Sequence, residues 1–154
     1  KRIDSLEAAA TIDDLTKLFN RGEMEERIRS STSGAYSLLL IRAGGLRVAA
    51  LSYTAGVAAE LAAAFTKRLK NSLPQNVVIG RWGEEDFVVL FHAPKADAIN
   101  SGKFVGEHLA GSYACIQDGK TVRPALQLRI GVVDSNGDKV DRVLDRVNEF
   151  LPGK

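Results

Sequence analysis

Apolar residues recur at helical spacing in several parts of this chain. In RGEMEERIRSS, Met24 and Ile28 lie four residues apart in an otherwise charged segment, which predicts a short helix with one buried face. From Tyr53 to Leu73 the same spacing continues on Val57, Leu61, Phe65 and Leu69. Alanines fill many of the other positions and Pro74 follows, so this run predicts a closely packed core helix that ends before the proline.

Continuous apolar runs of strand length lie between these helices. AYSLLLIRA is apolar over most of its length, which is typical of a central strand that is buried on both faces. NVVIGRW and FVVLFHA predict two further strands, and the residues GEED between them have the length of a hairpin loop.

The second half of the chain continues this alternation. KADAINSGKFVGEHLAGS predicts a helix that Gly102 weakens, and SYACIQDGKTV predicts two strands around an Asp-Gly turn. ALQLRIGVVD predicts another strand, and DSNGDKVDRVLDRVNEFL predicts a loop and a last helix. This order of elements predicts an α/β (α+β) fold in which helices flank a mainly antiparallel sheet.

The chain begins with a polar segment in which Ile3, Leu6 and Ala10 have helical spacing. We therefore interpret residues 1–12 as the end of a linker helix that arrives from an upstream element. Residues 13–154 then form one domain, which is the usual expectation for this length.

Two short motifs within the domain have unusual compositions. TIDDLTKLFNR has the residues of a capped turn, because its aspartates favour a helix start and Leu15 and Leu18 are spaced to pack inward. RWGEEDF sets three adjacent carboxylates between two predicted strands. Three interpretations fit such a cluster: a solvated hairpin tip, a metal site, or the remains of a site that has lost its other residues.

Composition and charge exclude several classes of protein. Hydrophobic residues make up 45% and charged residues 26% of the 154 residues, which is ordinary for a globular domain. The formal net charge of +2 and the scattered basic residues do not predict a nucleic-acid partner. The one cysteine, Cys115, excludes a disulfide framework and favours the cytoplasm. No apolar run is long enough to span a membrane, so we expect no direct membrane contact from this segment.

The two motifs, in this order, resemble those of the GGDEF domain, the diguanylate cyclase module of bacterial signalling. DDLTKLFNR is similar to the family pattern D-x-L-T-G-L-x-N-R, with Lys17 at the usual glycine. RWGEEDF is similar to R-[YW]-G-G-[DE]-E-F. LRIGVV falls where the family has a strand ending in S-x-G, with Arg129 at the serine.

The resemblance covers nearly the whole chain, and its signature occupies Gly83, Glu84, Glu85, Asp86 and Phe87. Within it, Glu84 replaces the second glycine and Asp86 replaces the glutamate. The fold that the resemblance implies is a nucleotidyl-cyclase-like sandwich with a central, mostly antiparallel, five-stranded sheet flanked by helices.

The activity that the resemblance implies, the joining of two GTP molecules, needs Mg²⁺ held by carboxylates. The family takes one carboxylate from the hairpin, where Glu85 stands, and one from the end of the first strand, where Arg42 stands. No Asp or Glu occurs from Arg27 to Ala59, so no change of alignment supplies the missing ligand. A guanidinium at 4 Å opposes a divalent cation by about 8 kcal/mol at an effective dielectric of about 20.

The nucleotide sites of the family are changed as well. Ala50 and Ala59 stand at the positions that read guanine, and no Asn, Gln or Asp occurs from Gly22 to Lys70. An alanine side chain neither donates nor accepts a hydrogen bond. PQNV replaces the R-x-x-D motif of the product-inhibition site. We therefore expect no cofactor, and Mg²⁺ and GTP only if the chain is an active cyclase with Glu85 as a metal ligand.

Two interpretations of the hairpin carboxylates remain open. In the first, the Arg42 guanidinium takes the place of the metal and pairs with Glu85 or Asp86. In the second, the GEED loop is a solvated turn and Arg42 extends into water.

Other candidate residues favour structural roles. His92 and His108 are isolated from any cysteine at ligand spacing, so zinc is not expected. Cys115 is expected to be a small buried apolar residue, and Arg129 to face the surface. DSNGD, although similar to a calcium loop, lacks the required glycine position and late glutamate and is expected to be a turn.

The sequence therefore favours a degenerate, catalytically inactive GGDEF domain with a regulatory role. The partners that the resemblance implies are neighbouring domains of the same chain, an upstream sensor and a downstream EAL-type domain, and a homodimer is left open. The parent protein could be anchored in the inner membrane. The alternative is an active diguanylate cyclase with an atypical GEEDF site.

Overall fold

Helices and strands alternate along the chain in the computed structural model, which describes residues 11–31 and 34–151. The helices are α1 (Arg21–Arg29), α2 (Leu46–Ser52), α3 (Ala55–Ser72), α4 (Lys95–His108) and α5 (Val140–Phe150). The strands are β1 (Ser37–Gly44), β2 (Val78–Arg81), β3 (Asp86–Phe91), β4 (Gly111–Ser112), β5 (Cys115–Gln117), β6 (Lys120–Val122) and β7 (Ala125–Asp134). The predicted linker helix, residues 1–12, lies almost wholly outside the described residues.

Five strands form one sheet in the order β2-β3-β1-β7-β4, and each neighbouring pair is antiparallel. β5 and β6 form a separate two-stranded hairpin around the predicted Asp-Gly turn. The predicted fold class, an antiparallel five-stranded sheet with flanking helices, is confirmed. β1 lies at the centre of the sheet, which explains its continuous apolar sequence.

The two faces of the sheet carry separate hydrophobic cores, because successive β1 side chains point to opposite sides. Leu39 and Ile41 pack against α2, α3 and α4 on one face. Leu38 and Leu40 pack against α1 and α5 on the other face. The three layers place the end of β1 and the β2–β3 hairpin at one end of the sandwich.

Side-chain caps define where the first helices begin. The Asn20 side chain accepts a hydrogen bond from the Glu23 amide at 3.0 Å and begins α1, whose Met24 and Ile28 are buried as predicted. The Thr54 hydroxyl accepts from the Val57 amide at 3.2 Å and begins α3. The helix predicted from Tyr53 to Leu73 is therefore slightly shorter, and a separate short helix, α2, precedes it.

One prediction about packing is wrong. Leu15 is 42% exposed, because Asp13–Thr16 forms a tight turn rather than a helix start. Gly102 has a packing role that the sequence did not predict: a Cβ there would lie 2.9 Å from Leu39 Cδ1, so the glycine lets α4 approach the sheet. Leu18 is buried as predicted.

No helix among residues 11–31 and 34–151 has the length and apolar character that crossing a membrane requires.

Candidate functional site

The RWGEEDF segment forms the end of β2, a loop and the start of β3. The loop is closed by the amides of Trp82 and Gly83, which donate to the Asp86 carbonyl at 2.8 and 3.2 Å. Gly83 lies so close to Asp86 that a Cβ there would be 3.0 Å from Oδ2. The Asp86 side chain is covered, with 1% of its surface exposed.

Arg42 neutralises the buried Asp86 carboxylate. The two residues are direct partners in the β1–β3 ladder. Arg42 Nε donates to Oδ1 at 2.9 Å and Nη2 donates to Oδ2 at 3.4 Å, so the guanidinium contacts both carboxylate oxygens. Hydrogen bonding to Asp86 raises the pKa of Arg42, which keeps the cation charged. Of the two interpretations that the sequence left open, the structure contains the pair between Arg42 and a hairpin carboxylate.

Glu85 serves a different purpose. Its side-chain Oε2 accepts hydrogen bonds from the backbone amides of Gly45 and Arg47, at 3.2 and 3.0 Å. Gly45 has φ +118°, a conformation that glycine tolerates, and is the residue just before α2. The Ala43 amide also donates to the Glu85 carbonyl at 2.7 Å. Glu85 therefore joins the hairpin to the turn between β1 and α2.

Glu84 is the outermost of the three carboxylates. Its Oε1 lies 2.9 Å from Arg47 Nε, and about half of each side chain is exposed, so water screens this ion pair. The Glu84 carbonyl accepts a hydrogen bond from Arg81 Nη2 at 2.7 Å. The exposed ion pair between Glu84 and Arg47 is therefore expected to contribute little to stability.

The three adjacent carboxylates are all engaged by groups of the chain itself. A magnesium ion needs oxygen ligands that converge on one point. Here Asp86 faces a guanidinium, Glu85 faces two amides and Glu84 faces a second guanidinium. In the part of the chain that the structure describes, no group of three or more His, Cys, Asp or Glu side chains could hold a metal ion. The residues present do not fit the magnesium site of a diguanylate cyclase.

The positions that the resemblance assigns to base reading lie on α2 and α3, and the segment assigned to product inhibition lies before β2. Ala50 lies exposed on α2 and Ala59 lies half-buried on α3. Each presents only a methyl group. The PQNV segment, residues 74–77, forms the turn that leads into β2.

The first motif packs against the second through a partly buried ion pair. The Asp13 carboxylate accepts from the Thr16 amide and hydroxyl, at 2.9 and 2.6 Å, and from Arg81 Nη1 at 3.2 Å. Partial burial works to raise the Asp13 pKa, but the Thr16 hydrogen bonds and the Arg81 charge outweigh it, and the pKa is lowered. Lys17, at the usual glycine position, has φ +61°.

Histidine and cysteine do not form a site among the described residues. His92 is exposed, and the His108 ring stacks on Phe104 with centroids 4.1 Å apart. Cys115 is free and fully buried, as predicted, and burial raises the pKa of its thiol. No reactive thiolate is expected there.

Arg129 and the DSNGD loop have structural contacts. Arg129 is exposed and its guanidinium lies 4.3 Å from the Phe150 ring centroid. In the loop, Asn136 and Gly137 have positive φ, and Arg146 donates to Asp138 at 2.5 Å. The loop is a turn held by an arginine.

Sequence reasoning missed Arg47 and α2. Arg47 contacts two of the hairpin carboxylates, through its amide and its guanidinium. The sequence signal for α2 is the three-residue spacing of Leu46 and Ala49, which are the buried residues of this helix. It is weak because the helix has only seven residues.

The geometry places the chain among α/β domains with a central antiparallel sheet and a carboxylate hairpin beside the end of its central strand. A profile of one such family, "Diguanylate cyclase, GGDEF domain", matches residues 10–152. The chain therefore belongs to the GGDEF domain family.

Solved structures agree on the fold at low sequence identity. The FimX GGDEF domain from Pseudomonas aeruginosa has a TM-score of 0.78 at 15% identity, over 93% of each chain. The diguanylate cyclase SiaD from Pseudomonas aeruginosa, in complex with its activator SiaC, has a TM-score of 0.77 at 19% identity, over 99% of this chain and 62% of that one. The coiled coil and GGDEF domain of DgcB from Caulobacter crescentus, in complex with c-di-GMP, has a TM-score of 0.76 at 12% identity, over 96% and 82%. A comparison with curated proteins found no match.

Proposed function

We propose that this chain is a catalytically inactive GGDEF domain that acts as a regulatory, signal-transmitting module in a larger cyclic di-GMP signalling protein. The observation that carries the proposal is the covered pair of Arg42 and Asp86, with Nε 2.9 Å from Oδ1. A diguanylate cyclase needs a carboxylate where Arg42 stands. The cation of this site is part of the chain and supplies no Lewis acid.

The rest of the site supports the same conclusion. Phosphoryl transfer depends on positioning the phosphates and neutralising their charge. The backbone amides of Gly45 and Arg47 are occupied by the Glu85 carboxylate, at 3.2 and 3.0 Å. Ala50 and Ala59 give no hydrogen bond to a base. Binding of GTP would require the hairpin to give up contacts that it makes internally.

A domain of this kind would act through its neighbours. We propose that it lies in the cytoplasm, between an upstream sensor and a downstream EAL-type domain of the same protein, which could itself be anchored in the inner membrane. The engaged carboxylates would give the domain a fixed shape that does not depend on nucleotide.

Turnover tests the proposal directly. The chain, fused to a dimerising helix and at high concentration, is incubated with GTP and Mg²⁺ or Mn²⁺, beside an active GGDEF protein as the control. We expect no cyclic di-GMP above the background without protein. Clear product formation would reject the proposal in favour of an active cyclase with a GEEDF site.

Calorimetry separates two kinds of inactive domain. Heat on titration with GTP or cyclic di-GMP would indicate a nucleotide-sensing module. Silence in both titrations, which we expect, indicates a module that works through protein contacts alone.

A further inference from the structure

β7 is the longest strand of the sheet, and most of its outer edge has no strand beside it. β4 pairs only with Ala125 and Leu126, whereas β1 pairs with the opposite edge from Gln127 to Asp134. Within residues 11–31 and 34–151, the outer edge after Leu126 therefore has no partner strand. A long unpaired edge is a template for a further strand.

Two hydrogen bonds show which backbone groups point outward. The Tyr113 amide donates to the Pro124 carbonyl on the β4 side, and the Ser135 amide donates to the Tyr36 carbonyl on the β1 side, at 2.8 and 3.1 Å. Because the N–H and C=O of one residue point the same way and successive residues alternate, the even-numbered residues point outward. On the unpaired stretch these residues are Leu128, Ile130, Val132 and Asp134, and all four are half-buried. The Asp134 carbonyl already accepts a hydrogen bond from Arg146 at 3.3 Å, so the first three form the edge considered below.

An apolar groove of about 570 Å³ runs beside this edge, between α4 and β7. Gly102 and Gly106 form its helix wall, and a Cβ on either would come within 3.2 Å of Ile130. Lys103 and Glu107 line the groove with exposed side chains of opposite charge. A groove next to a strand edge is the setting in which an added strand buries its side chains.

We propose that a second copy of this chain pairs with the first through β7, antiparallel and about a two-fold axis at Ile130. In this register Ile130 faces Ile130 of the other copy, and Leu128 faces Val132 of the other copy. Each of these pairs exchanges two backbone hydrogen bonds. Arg129 faces Gly131 of the other copy, so no like charges are directly opposite each other. The interface is isologous, as in most closed dimers.

The charges of Lys103 and Glu107 favour a second copy of this chain as the partner of the β7 edge. Lys103 and Glu107 are one helical turn apart on the helix wall of the groove, which Ile130 also lines. The two-fold axis reverses their order in the second copy, which brings Lys103 towards Glu107 of the other α4. Complementary charges on the rim favour one partner and one register.

Hydrogen exchange tests the interface residue by residue. Amide exchange is measured by NMR at protein concentrations from about 10 µM to about 1 mM. This range covers the dissociation constants that are typical of small interfaces. We expect the amides of Leu128, Ile130 and Val132 to become protected as the concentration rises. Those of Arg129 and Gly131, which point to β1, are protected throughout and report that the chain is folded. Unchanged exchange at all three edge amides would overturn the proposal.

Charge reversal provides the second test, by sedimentation equilibrium. Lys103→Glu and Glu107→Lys, both at exposed positions, should each raise the dimer dissociation constant about tenfold, because two rim pairs per dimer become repulsive. The double variant Lys103→Glu/Glu107→Lys should restore wild-type dimerisation. A chain that sediments as a monomer throughout, or single variants that dimerise as well as wild type, would overturn the proposal.

Discussion

At the scale of single residues, the covered pair of Arg42 and Asp86 has the largest consequence. Asp86 has 1% and Arg42 25% of its side chain exposed, so the carboxylate depends on its partner more than the cation does. Removing one member of a buried pair leaves an uncompensated charge, which costs more than the intact pair contributes.

We therefore predict that Arg42→Ala lowers the free energy of unfolding by about 3 kcal/mol. The double variant Arg42→Ala/Asp86→Asn, which removes the orphaned charge, should regain roughly half of this loss. Urea denaturation measures both. A loss below about 0.5 kcal/mol for Arg42→Ala would show that water reaches Asp86 easily.

Lys17 is held in the left-handed region at φ +61°, which costs a side chain about 1–2 kcal/mol. Lys17→Gly should stabilise the chain by about 0.5–1 kcal/mol, after the greater freedom of glycine in the unfolded chain is subtracted. Lys67→Gly in the exposed face of α3 is the matched control and should cost about 1 kcal/mol. If both variants lose stability alike, the backbone of Lys17 is not strained.

Asp13 makes stability depend on pH. Its pKa in the folded chain lies below the ordinary value of 3.8. Its contribution is therefore fully present above pH 3.8 and is lost as pH falls through the folded pKa. Asp13→Asn should be less stable than wild type at neutral pH, and urea unfolding at successively lower pH should show the difference shrinking. A constant difference would contradict the lowered pKa.

At the scale of elements, glycine positions set how closely helices approach the sheet. A Cβ on Gly102 would lie 2.9 Å from Leu39 and 3.2 Å from Ile130, inside a packed core. Intrinsic helix propensity and packing thus oppose each other in α4.

We predict that Gly102→Ala lowers stability by about 1–2 kcal/mol, although alanine favours a helix by about 1 kcal/mol. Gly56→Ala in α3 is the control, since its nearest neighbour would be Thr54 Oγ1 at 3.6 Å. It should be neutral or stabilising in thermal unfolding. A stabilising effect at Gly102 would mean that α4 shifts easily away from the sheet.

At the scale of the whole molecule, the hairpin, the end of β1 and α2 form one self-neutralised unit. The three arginines Arg42, Arg47 and Arg81 contact the hairpin residues Glu84 and Asp86. A ligand stabilises a protein only if it binds the native state.

The melting temperature should therefore shift by less than about 1 °C on addition of about 5 mM MgCl₂ and about 1 mM GTP. Differential scanning calorimetry makes the measurement, with an active GGDEF domain as the control. A rise of several degrees would show that the internal contacts yield to nucleotide.

The sequence by itself determined the layers of this protein and the loss of the strand carboxylate. Segments with apolar residues at helical spacing alternate with continuous apolar runs of strand length, and this predicts helices packed on a buried sheet. No acidic residue occurs from Arg27 to Ala59. Both are local properties of the chain, so they survive any small error in alignment.

Only the tertiary structure decided how the three hairpin carboxylates are used. The β1–β3 register sets Arg42 opposite Asp86, and this selects Asp86 over Glu85 as the partner of the guanidinium. Glu85, one residue earlier, contacts the amides of Gly45 and Arg47 instead. The sequence left both partners open because pairing between residues 44 positions apart depends on strand register, which no local pattern specifies.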